Sequence, residues 1–463
     1  MDYDLIIIGS GPGGYVAAIR ASQLKMKVAV IEKAELGGIC LNWGCIPTKS
    51  LLKSAQVFEY ASHAAEYGVS IGGEVKPDFG KIIARSRNAA ESMSKGIQFL
   101  FRKNDITSIK GFGRLAGGTS VEVEEDGGAK KLITAKNVIV ATGARSKELP
   151  NLPQDGVKII GYREAMTLPA QPASMVVVGS GAIGSEFANF YQSLGTEVTL
   201  VEFLPRLVPN EDEEISKQLE RSFKKMKMKV MTDSAVESAD TSGKKCKVNI
   251  KTPKGMETVE ADIVLSAVGV TTNLEGIGLE KAGIKTEKGK VVVDDFYRTS
   301  VPGIHAIGDI VHGPALAHVA SAEGIICVEK MAGLETGPLD YKNIPACTYT
   351  NPEIASVGLT EKAAVEAGYK IKVGKFPFTA SGKATAAGAR DGFIKLVFDE
   401  QYGELLGAHM IGANVTEMIA ELVVARKLET TAHELIKSVH PHPTMSEAIM
   451  EAAAAAYGEV IHI

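Results

Sequence analysis

The sequence predicts an α/β protein that contains one strand–turn–helix–strand unit twice, followed by a C-terminal α+β domain. The first unit opens with a short apolar run at 5–8 and a glycine-rich turn, after which a helix is expected from Tyr15, and the second unit repeats this order from 175–178. Short runs that are apolar throughout are typical of parallel strands buried on both faces. From about residue 345 the chain changes to strands rich in Val, Ile and Phe, with helices expected near 360–368, 413–427 and 444–457.

Both units carry the same glycine spacing and, 23 residues after the first glycine, a glutamate. The two sets are Gly9, Gly11, Gly14 and Glu32, and Gly179, Gly181, Gly184 and Glu202. A GxGxxG motif alone carries little weight, but one that follows an apolar strand and precedes an acid at a fixed offset is specific. Its occurrence twice indicates an internal duplication of one nucleotide-binding unit, so we predict two Rossmann-like dinucleotide-binding domains.

The chemistry of the motif explains its residue types. The first glycine makes the tight turn, the second lets a pyrophosphate approach the backbone, and the third lets helix and strand pack closely. The pyrophosphate then lies at the helix N-terminus, and Glu32 and Glu202 are each expected to accept hydrogen bonds from a ribose. A carboxylate repels the 2′-phosphate of NADP, so Glu202 favours NAD. We interpret Arg206, which could meet such a phosphate, as a surface residue.

Other segments are expected to complete the first unit. The runs that end at 141–143 and 267–269 are interpreted as strand exits, although such tripeptides are often ordinary turns. The segment 299–307 predicts a strand that ends at Gly308 and Asp309. An acid there would meet the ribityl chain of the first dinucleotide and return the chain to the first domain.

Two cysteines, Cys40 and Cys45, lie five residues apart beside a predicted helix start. Gly44 between them permits the approach that a disulfide requires, and Pro47 suits the first turn of a helix. A free thiol of pKa about 8.5 is only about 3% ionised at pH 7. We expect Cys45 to lie at the helix N-terminus with Lys49 one turn away, and both features would lower the pKa of its thiol.

A second interpretation of the pair is two buried apolar cysteines. The spacing is not a common zinc motif, and we expect no metal site. Cys246, Cys327 and Cys347 stand alone and are interpreted as small core residues. Five cysteines in 463 residues are too few for a secreted disulfide framework, so a close pair favours catalysis.

A histidine near the C-terminus is the candidate acid–base group. His442 can exchange protons near neutral pH, and Glu447, five residues later, can orient it and raise its pKa. The alternative is that Thr444 or Ser446, followed by Glu447, marks a helix start. His440 is the weaker candidate.

Composition bounds the partners and the location. A net charge of −4 gives no indication of a nucleic-acid or anionic-membrane partner. No apolar run is long enough to span a bilayer, and the first residues are acidic where a signal peptide is basic. We therefore expect a cytoplasmic protein, or one of an organelle matrix if the chain is a processed form.

With GGxCLNxGCIPxK near residue 40 and HPHPTxSE near residue 442, the chain resembles the class I flavoprotein disulfide reductases, most closely the dihydrolipoamide dehydrogenases. The resemblance covers essentially the whole length. It implies an FAD-binding domain at 1–149, an NAD-binding domain at 150–272, a central segment at 273–343 that completes the FAD domain, and an interface or dimerisation domain at 344–463.

The resemblance also implies a mechanism. A substrate dithiol, deprotonated with help from His442, attacks Cys40 of a Cys40–Cys45 disulfide, and Cys45 passes the electrons to FAD and so to NAD+. In the family, two subunits of a homodimer complete each other's site, so His442 and Glu447 would face the cysteine pair of the partner chain. The expected partners are lipoyl-bearing acyltransferases of 2-oxoacid dehydrogenase complexes or the lipoyl protein of glycine cleavage.

The resemblance also implies further cofactor contacts. For FAD they are Lys33, Lys49, Gly113, Thr142, Gly143, Asp309, Ala317 and His318, and for NAD they are Ile183, Glu186, Val236 and Gly269. Lys49 is expected to pair with Glu186 near the flavin.

The chain departs from its relatives at three places. Trp43 stands where many relatives carry valine, and the run 270–273 replaces a more usual arginine-containing run. The tail 460–463 has no extra cysteine, which disfavours the mercury-handling and thioredoxin-reducing relatives.

Three other functions remain open. A glutathione-type or trypanothione-type reductase would use NADPH and carry basic residues where Glu202 stands. A docking subunit would need no thiol pair, and a flavin oxidase or transhydrogenase would need no disulfide.

Overall fold

A computed structural model describes the whole chain, Met1–Ile463. The strands are β1 Tyr3–Ile8, β2 Val28–Glu32, β3 Thr107–Lys110, β4 Phe112–Gly117, β5 Ser120–Glu124, β6 Lys130–Val140, β7 Ala144–Ser146, β8 Ile159–Ile160, β9 Ser174–Val178, β10 Glu197–Val201, β11 Lys229–Met231, β12 Ala235–Asp240, β13 Cys246–Thr252, β14 Gly255–Ala261, β15 Ile263–Ser266, β16 Val270–Thr272, β17 Thr286–Glu287, β18 Lys290–Val291, β19 Ile304–Ala306, β20 Ala346–Thr348, β21 Glu353–Gly358, β22 Ile371–Pro377, β23 Phe393–Asp399 and β24 Leu405–Gly412.

The α-helices are α1 Pro12–Gln23, α2 Gly38–Trp43, α3 Cys45–Ser62, α4 Phe79–Lys103, α5 Tyr162–Ala165, α6 Ala182–Ser193, α7 Glu213–Lys225, α8 Leu279–Ala282, α9 Ala317–Met331, α10 Glu361–Glu366, α11 Gly382–Ala386, α12 Val415–Lys427, α13 Ala432–Lys437 and α14 Glu447–Ala455. None of these helices is both long and apolar enough to cross a membrane.

One compact unit contains 1–51, 80–147 and 270–341. Its main sheet has the order β3-β2-β1-β6-β5-β4, with β19 also paired to β6. Strands β1, β2, β3, β6 and β19 run parallel, whereas β5 joins β6 and β4 antiparallel. The strand predicted within 299–307 is therefore β19, and it returns the chain to the first sheet as expected.

The other compact unit contains 52–79, 148–269 and 342–463. Its parallel sheet has the order β11-β10-β9-β15-β8, and an antiparallel sheet follows the order β12-β13-β14. A third, antiparallel sheet has the order β20-β21-β24-β23-β22 and carries α12, α13 and α14 in one hydrophobic core. The predicted α/β class with a C-terminal α+β portion is confirmed, whereas the predicted bounds of the four domains stay predictions.

Two local details differ from the expectation. The first helix begins at Pro12, three residues before the predicted Tyr15, because a proline fits the first helical position without losing a hydrogen bond. In the C-terminal portion, the helices expected near 360–368, 413–427 and 444–457 are present as α10, α12 and α14, but the short α11 and α13 were missed. Helices this short have little periodicity to reveal them.

The second unit also contains a buried lysine that the sequence analysis did not single out. Lys395 on β23 is only 2% exposed, and its Nζ lies 3.1 Å from Asp212, 2.9 Å from Glu214 and 2.6 Å from Glu361. Burial lowers the pKa of Lys395, but the hydrogen bonds with these carboxylates outweigh it and raise the pKa. The charged ammonium therefore links β23 to the start of α7.

The small residues at 452–456 let the end of α14 pack closely against the neighbouring strand β22. A Cβ placed on Gly374 of β22 would overlap the carbonyl oxygen of Ala452 and lie 2.7 Å from the amide nitrogen of Ala456. The missing side chain of Gly374 is therefore what lets α14 lie on the sheet.

We expect Gly374→Ala to destabilise the protein by about 1–3 kcal/mol, because the added methyl group must push α14 away from β22. Thermal denaturation monitored by circular dichroism measures this. The matched control is Gly382→Ala at the start of α11, where an added Cβ would meet nothing within 4 Å. Equal melting temperatures for the two variants would contradict this packing account.

Candidate active site

The two candidate redox cysteines lie on consecutive helices. Cys40 belongs to α2, Cys45 is the first residue of α3, and Gly44 separates the helices with φ −145° and ψ −112°. The two sulfur atoms lie 2.6 Å apart. The expected helix N-terminus at Cys45 is confirmed, and the fold brings the two thiols together.

Hydrogen bonds from side chains fix the loop between the cysteines. The amide nitrogen of Asn42 donates to the carbonyl oxygens of Leu36 at 3.0 Å and Gly38 at 2.9 Å. The hydroxyl of Thr48 donates to the carbonyl oxygen of Gly44 at 2.7 Å. Asn42 is only 4% exposed, so its amide replaces water for these carbonyls. Sequence reasoning missed Asn42, although a polar amide between two cysteines is a usable signal.

The surroundings of Cys40 disfavour its thiolate form. The hydrogen bond with Cys45 and then burial raise the pKa of Cys40, and the charge of Lys49 opposes them only weakly. The predicted effect of Lys49 on the pKa of Cys45 stays a prediction.

The first glycine turn has the geometry that a pyrophosphate site needs. Gly9 has φ +104°, which favours glycine, and a Cβ on Gly14 would overlap the carbonyl oxygen of Gly9. At Gly11 the space where a Cβ would stand is open to 4 Å. A ligand can therefore approach the backbone at the second glycine, so these residues fit a dinucleotide at the start of α1.

The second turn repeats this geometry. Gly179 has φ +97°, a Cβ on Gly184 would overlap the carbonyl oxygen of Gly179, and the space at Gly181 is open. Gly11 and Gly181 also agree in φ, −62° and −63°, with extended ψ in both. The duplication seen in the sequence is therefore a duplication of backbone conformation.

Each motif glutamate binds its own glycine turn. One oxygen of Glu32 accepts from the amide of Ser10 at 2.9 Å and from its hydroxyl at 2.7 Å, and Glu202 binds Ser180 at 2.8 and 2.7 Å. The other oxygen accepts the backbone N–H two residues later, at 2.8 Å in both copies. A carboxylate has about four acceptor sites, so about one remains for a ribose hydroxyl. Sequence reasoning missed both serines, which occupy matching places in the two motifs.

The residues expected around FAD all belong to the first unit. Gly113 lies in β4, Lys33 follows β2, Thr142 and Gly143 follow β6, Lys49 lies in the first turns of α3, and Ala317 and His318 begin α9. The departing run 270–273 forms β16 and Asn273, and Asn273 is paired with Thr142 through hydrogen bonds of 2.7 and 3.0 Å. This run therefore orders the loop after β6.

Asp309 is held in a short helical turn, Gly308–Ile310. Burial raises the pKa of Asp309. The amide of Gly308 donates to Glu323 on α9 at 2.6 Å, which fixes the turn. Glu323 is buried and was missed, since a single acid in a helix gives no sequence signal.

The residues expected around NAD lie in the second unit. Ile183, the second residue of α6, is 38% exposed although apolar, and Glu186 accepts the amide of Tyr349 at 3.0 Å. Val236 is buried in β12, and Gly269 follows β15. The pairing of Lys49 with Glu186 stays a prediction.

Arg206 already has partners within the protein. Its guanidinium lies 3.1 Å from Glu213 and donates to the carbonyl oxygen of Pro209 at 2.9 Å. Its side chain is 34% exposed, so Arg206 lies partly at the surface, and whether it meets a nucleotide phosphate is not decided by these contacts.

The two C-terminal histidines have different surroundings. His442 is 78% exposed at its side chain, and its Nδ1 lies 2.8 Å from Glu447. The side chain of His440 is mostly buried, and its hydrogen bond with Glu421 raises its pKa. His442 is therefore the histidine that can meet a substrate.

Glu447 contacts His442 and also begins a helix. It is the first residue of α14, and its second oxygen accepts the amide of Thr444 at 2.8 Å. Burial raises the pKa of Glu447, but the hydrogen bonds from Thr444 and His442 outweigh it, so the pKa is lowered. Because a carboxylate oxygen can only accept a hydrogen bond, the contact with Glu447 requires a proton on Nδ1 of His442.

Comparison with known proteins agrees with this geometry. Residues 3–324 match the pyridine nucleotide-disulphide oxidoreductase family, and residues 344–453 match its dimerisation domain, which supports a homodimer. The chain is 49% identical to a dihydrolipoyl dehydrogenase of Zymomonas mobilis and 47% identical to one of Rhizobium etli, over 99% of each chain in both cases. The crystal structure of LpdA from Mycobacterium tuberculosis superposes with a TM-score of 0.90 at 29% identity, covering 97% of this chain and 98% of that one. The chain belongs to the pyridine nucleotide-disulphide oxidoreductase family.

Proposed function

We propose that this protein is an FAD-containing dihydrolipoyl dehydrogenase that oxidises protein-bound dihydrolipoamide to lipoamide and reduces NAD+. The observation that carries the proposal is the 2.6 Å contact between the sulfurs of Cys40 and Cys45 in a chain with two dinucleotide turns. The names of relatives that cover the whole chain support the same substrate.

The residues that would hold FAD belong to the first unit and those that would hold NAD to the second. FAD would lie at the turn of Gly9 to Gly14 with Glu32 and Asp309, and NAD at the turn of Gly179 to Gly184 with Glu202. When bound, FAD carries the electron pair between the cysteine pair and NAD+.

The cysteine pair exchanges with the substrate dithiol. A substrate thiolate attacks Cys40, which breaks the Cys40–Cys45 bond and forms a mixed disulfide. The second substrate thiol then displaces Cys40, so the substrate leaves as a cyclic disulfide and both cysteines are reduced. The substrate loses two electrons and two protons, NAD+ gains a hydride, and one proton is released.

His442 supplies the base for this exchange. Its Nε2 accepts a proton from the substrate thiol, because the thiolate is the attacking species. Glu447 holds the ring and stabilises the charged imidazolium. In the proposed homodimer, His442 and Glu447 of one subunit face the cysteine pair of the other, so a monomer is inactive.

The alternatives are weaker for stated reasons. An NADPH-dependent reductase needs a cation where Glu202 binds Ser180. A docking subunit or a flavin oxidase gives no reason for two thiols in contact. We propose lipoyl-bearing acyltransferases of 2-oxoacid dehydrogenase complexes, or the lipoyl protein of glycine cleavage, as partners. The cytoplasmic location stays a prediction.

We expect His442→Gln to lower the turnover of dihydrolipoamide with NAD+ by about 10²–10⁴-fold, because the variant cannot accept the thiol proton. Steady-state kinetics measure this, with FAD content determined from the visible spectrum. FAD content should be unchanged. His440→Gln is the matched control, and we expect a smaller effect from it. Wild-type turnover in His442→Gln would remove His442 from the mechanism.

We expect the wild-type enzyme to prefer NAD+ over NADP+. Glu202→Gln should lower the ratio of kcat/KM for NAD+ to kcat/KM for NADP+ roughly tenfold or more, because the substitution removes the repulsion between the carboxylate and the 2′-phosphate of NADP+. The ratio of kcat/KM values for the two nucleotides gives the preference. Glu197→Gln, at the exposed start of β10, the strand that ends just before Glu202, should leave the ratio unchanged. A wild-type preference for NADP+ would overturn the NAD assignment.

A further inference from the structure

A residue of α4 contacts the loop that carries the redox cysteines. The guanidinium of Arg87 donates a hydrogen bond to the carbonyl oxygen of Asn42, and its carbon lies 4.3 Å from the centre of the Trp43 ring. Asn42 and Trp43 are two of the four residues between Cys40 and Cys45. One side chain, 45 residues away in sequence, therefore contacts the loop at two successive residues.

Both contacted residues are also held by other groups. Trp43 Nε1 donates to Glu35 at 3.4 Å, and the amide of Asn42 binds the carbonyl oxygens of Leu36 and Gly38. All these other partners lie within the segment 35–38, before the cysteines. Arg87 thus joins the loop to α4, a helix that is distant in sequence from the cysteines and belongs to the same unit.

The chemistry of arginine suits this position. A planar guanidinium can stack on an aromatic ring and donate to a carbonyl oxygen at the same time, whereas an ammonium group is a point charge. A cation over an indole ring is attracted by the ring quadrupole, and more strongly where water is partly excluded. Trp43 and Arg87 are both half-buried.

We propose that Arg87 is a positioning residue of the redox pair, which holds the loop so that the sulfurs of Cys40 and Cys45 stay within reach of each other. The inference rests on the proposed function. Two thiols held in place close into a disulfide at a smaller entropic cost than two thiols that move independently. Loosening the loop therefore lowers the equilibrium constant for closure and raises the reduction potential of the pair.

Thiol–disulfide exchange with dithiothreitol tests this directly. One dithiothreitol thiolate attacks the protein disulfide, and its second thiol displaces the remaining sulfur, which yields oxidised dithiothreitol and two protein thiols. The FAD-loaded protein is equilibrated anaerobically at a series of ratios of reduced to oxidised dithiothreitol. Alkylation followed by mass spectrometry then gives the fraction of Cys40 and Cys45 that is reduced.

We expect Arg87→Met to lower the closure constant roughly tenfold, which corresponds to a potential about 30 mV higher. Met keeps an unbranched apolar side chain but has neither the planar guanidinium nor its N–H donors. Trp43→Leu removes the ring that Arg87 covers, so it should also lower the closure constant. Lys95→Met is the matched control, since Lys95 is an exposed cation on the same helix that pairs with Glu91.

The outcomes separate this inference from the proposed function. If Cys40 and Cys45 of the wild type stay open under oxidising conditions, the proposed function fails. If the wild type closes and both Arg87→Met and Trp43→Leu close with the same constant, with FAD retained, only the role of Arg87 is overturned. If the variants have a lower melting temperature but an unchanged closure constant, the role of Arg87 is also overturned, because Arg87 then contributes to stability alone.

Discussion

Two thiols can exchange an electron pair with a dithiol substrate only if their sulfur atoms meet, so the backbone between Cys40 and Cys45 is the constraint on which the site depends. Two helices meet at Gly44, and the side chains of Asn42 and Thr48 donate hydrogen bonds to the carbonyl oxygens of Gly38 and Gly44 on the two sides of this break. The contact between the two sulfurs therefore depends on the hydrogen bonds that hold this loop, and not on the cysteine spacing alone. The same loop places Cys45 at the positive end of α3.

The nucleotide turns follow a similar logic. Each glutamate was expected to act on a ribose, yet most of its acceptor capacity is used by the serine between the first two glycines and by the following backbone. The carboxylate orders the turn before any ligand arrives. The hydrogen bonds between serine and glutamate have nearly equal lengths in both copies. The serine and the glutamate were therefore duplicated together with the glycines.

Much of the fold and site could be predicted because the signals are local. Apolar strands, the glycine spacing, the cysteine pair and the segment around His442 all lie within short stretches, and the structure has each in the expected element. Asn42, Ser10, Glu323 and Lys395 were missed because their partners come from the tertiary fold or from a neighbouring backbone. The small helices α11 and α13 escaped because one turn or two carries too little periodicity. The roles of the cofactor contacts depended on resemblance.

The most direct test of the central claim is the anaerobic addition of one equivalent of dihydrolipoamide to the FAD-loaded protein, followed by absorption spectroscopy. If the cysteine pair accepts the electrons, the reduced pair leaves a Cys45 thiolate beside oxidised flavin, and a long-wavelength absorption band appears in the wild type but not in Cys45→Ser. Bleaching of the flavin without that band, or no spectral change at all, would contradict the account.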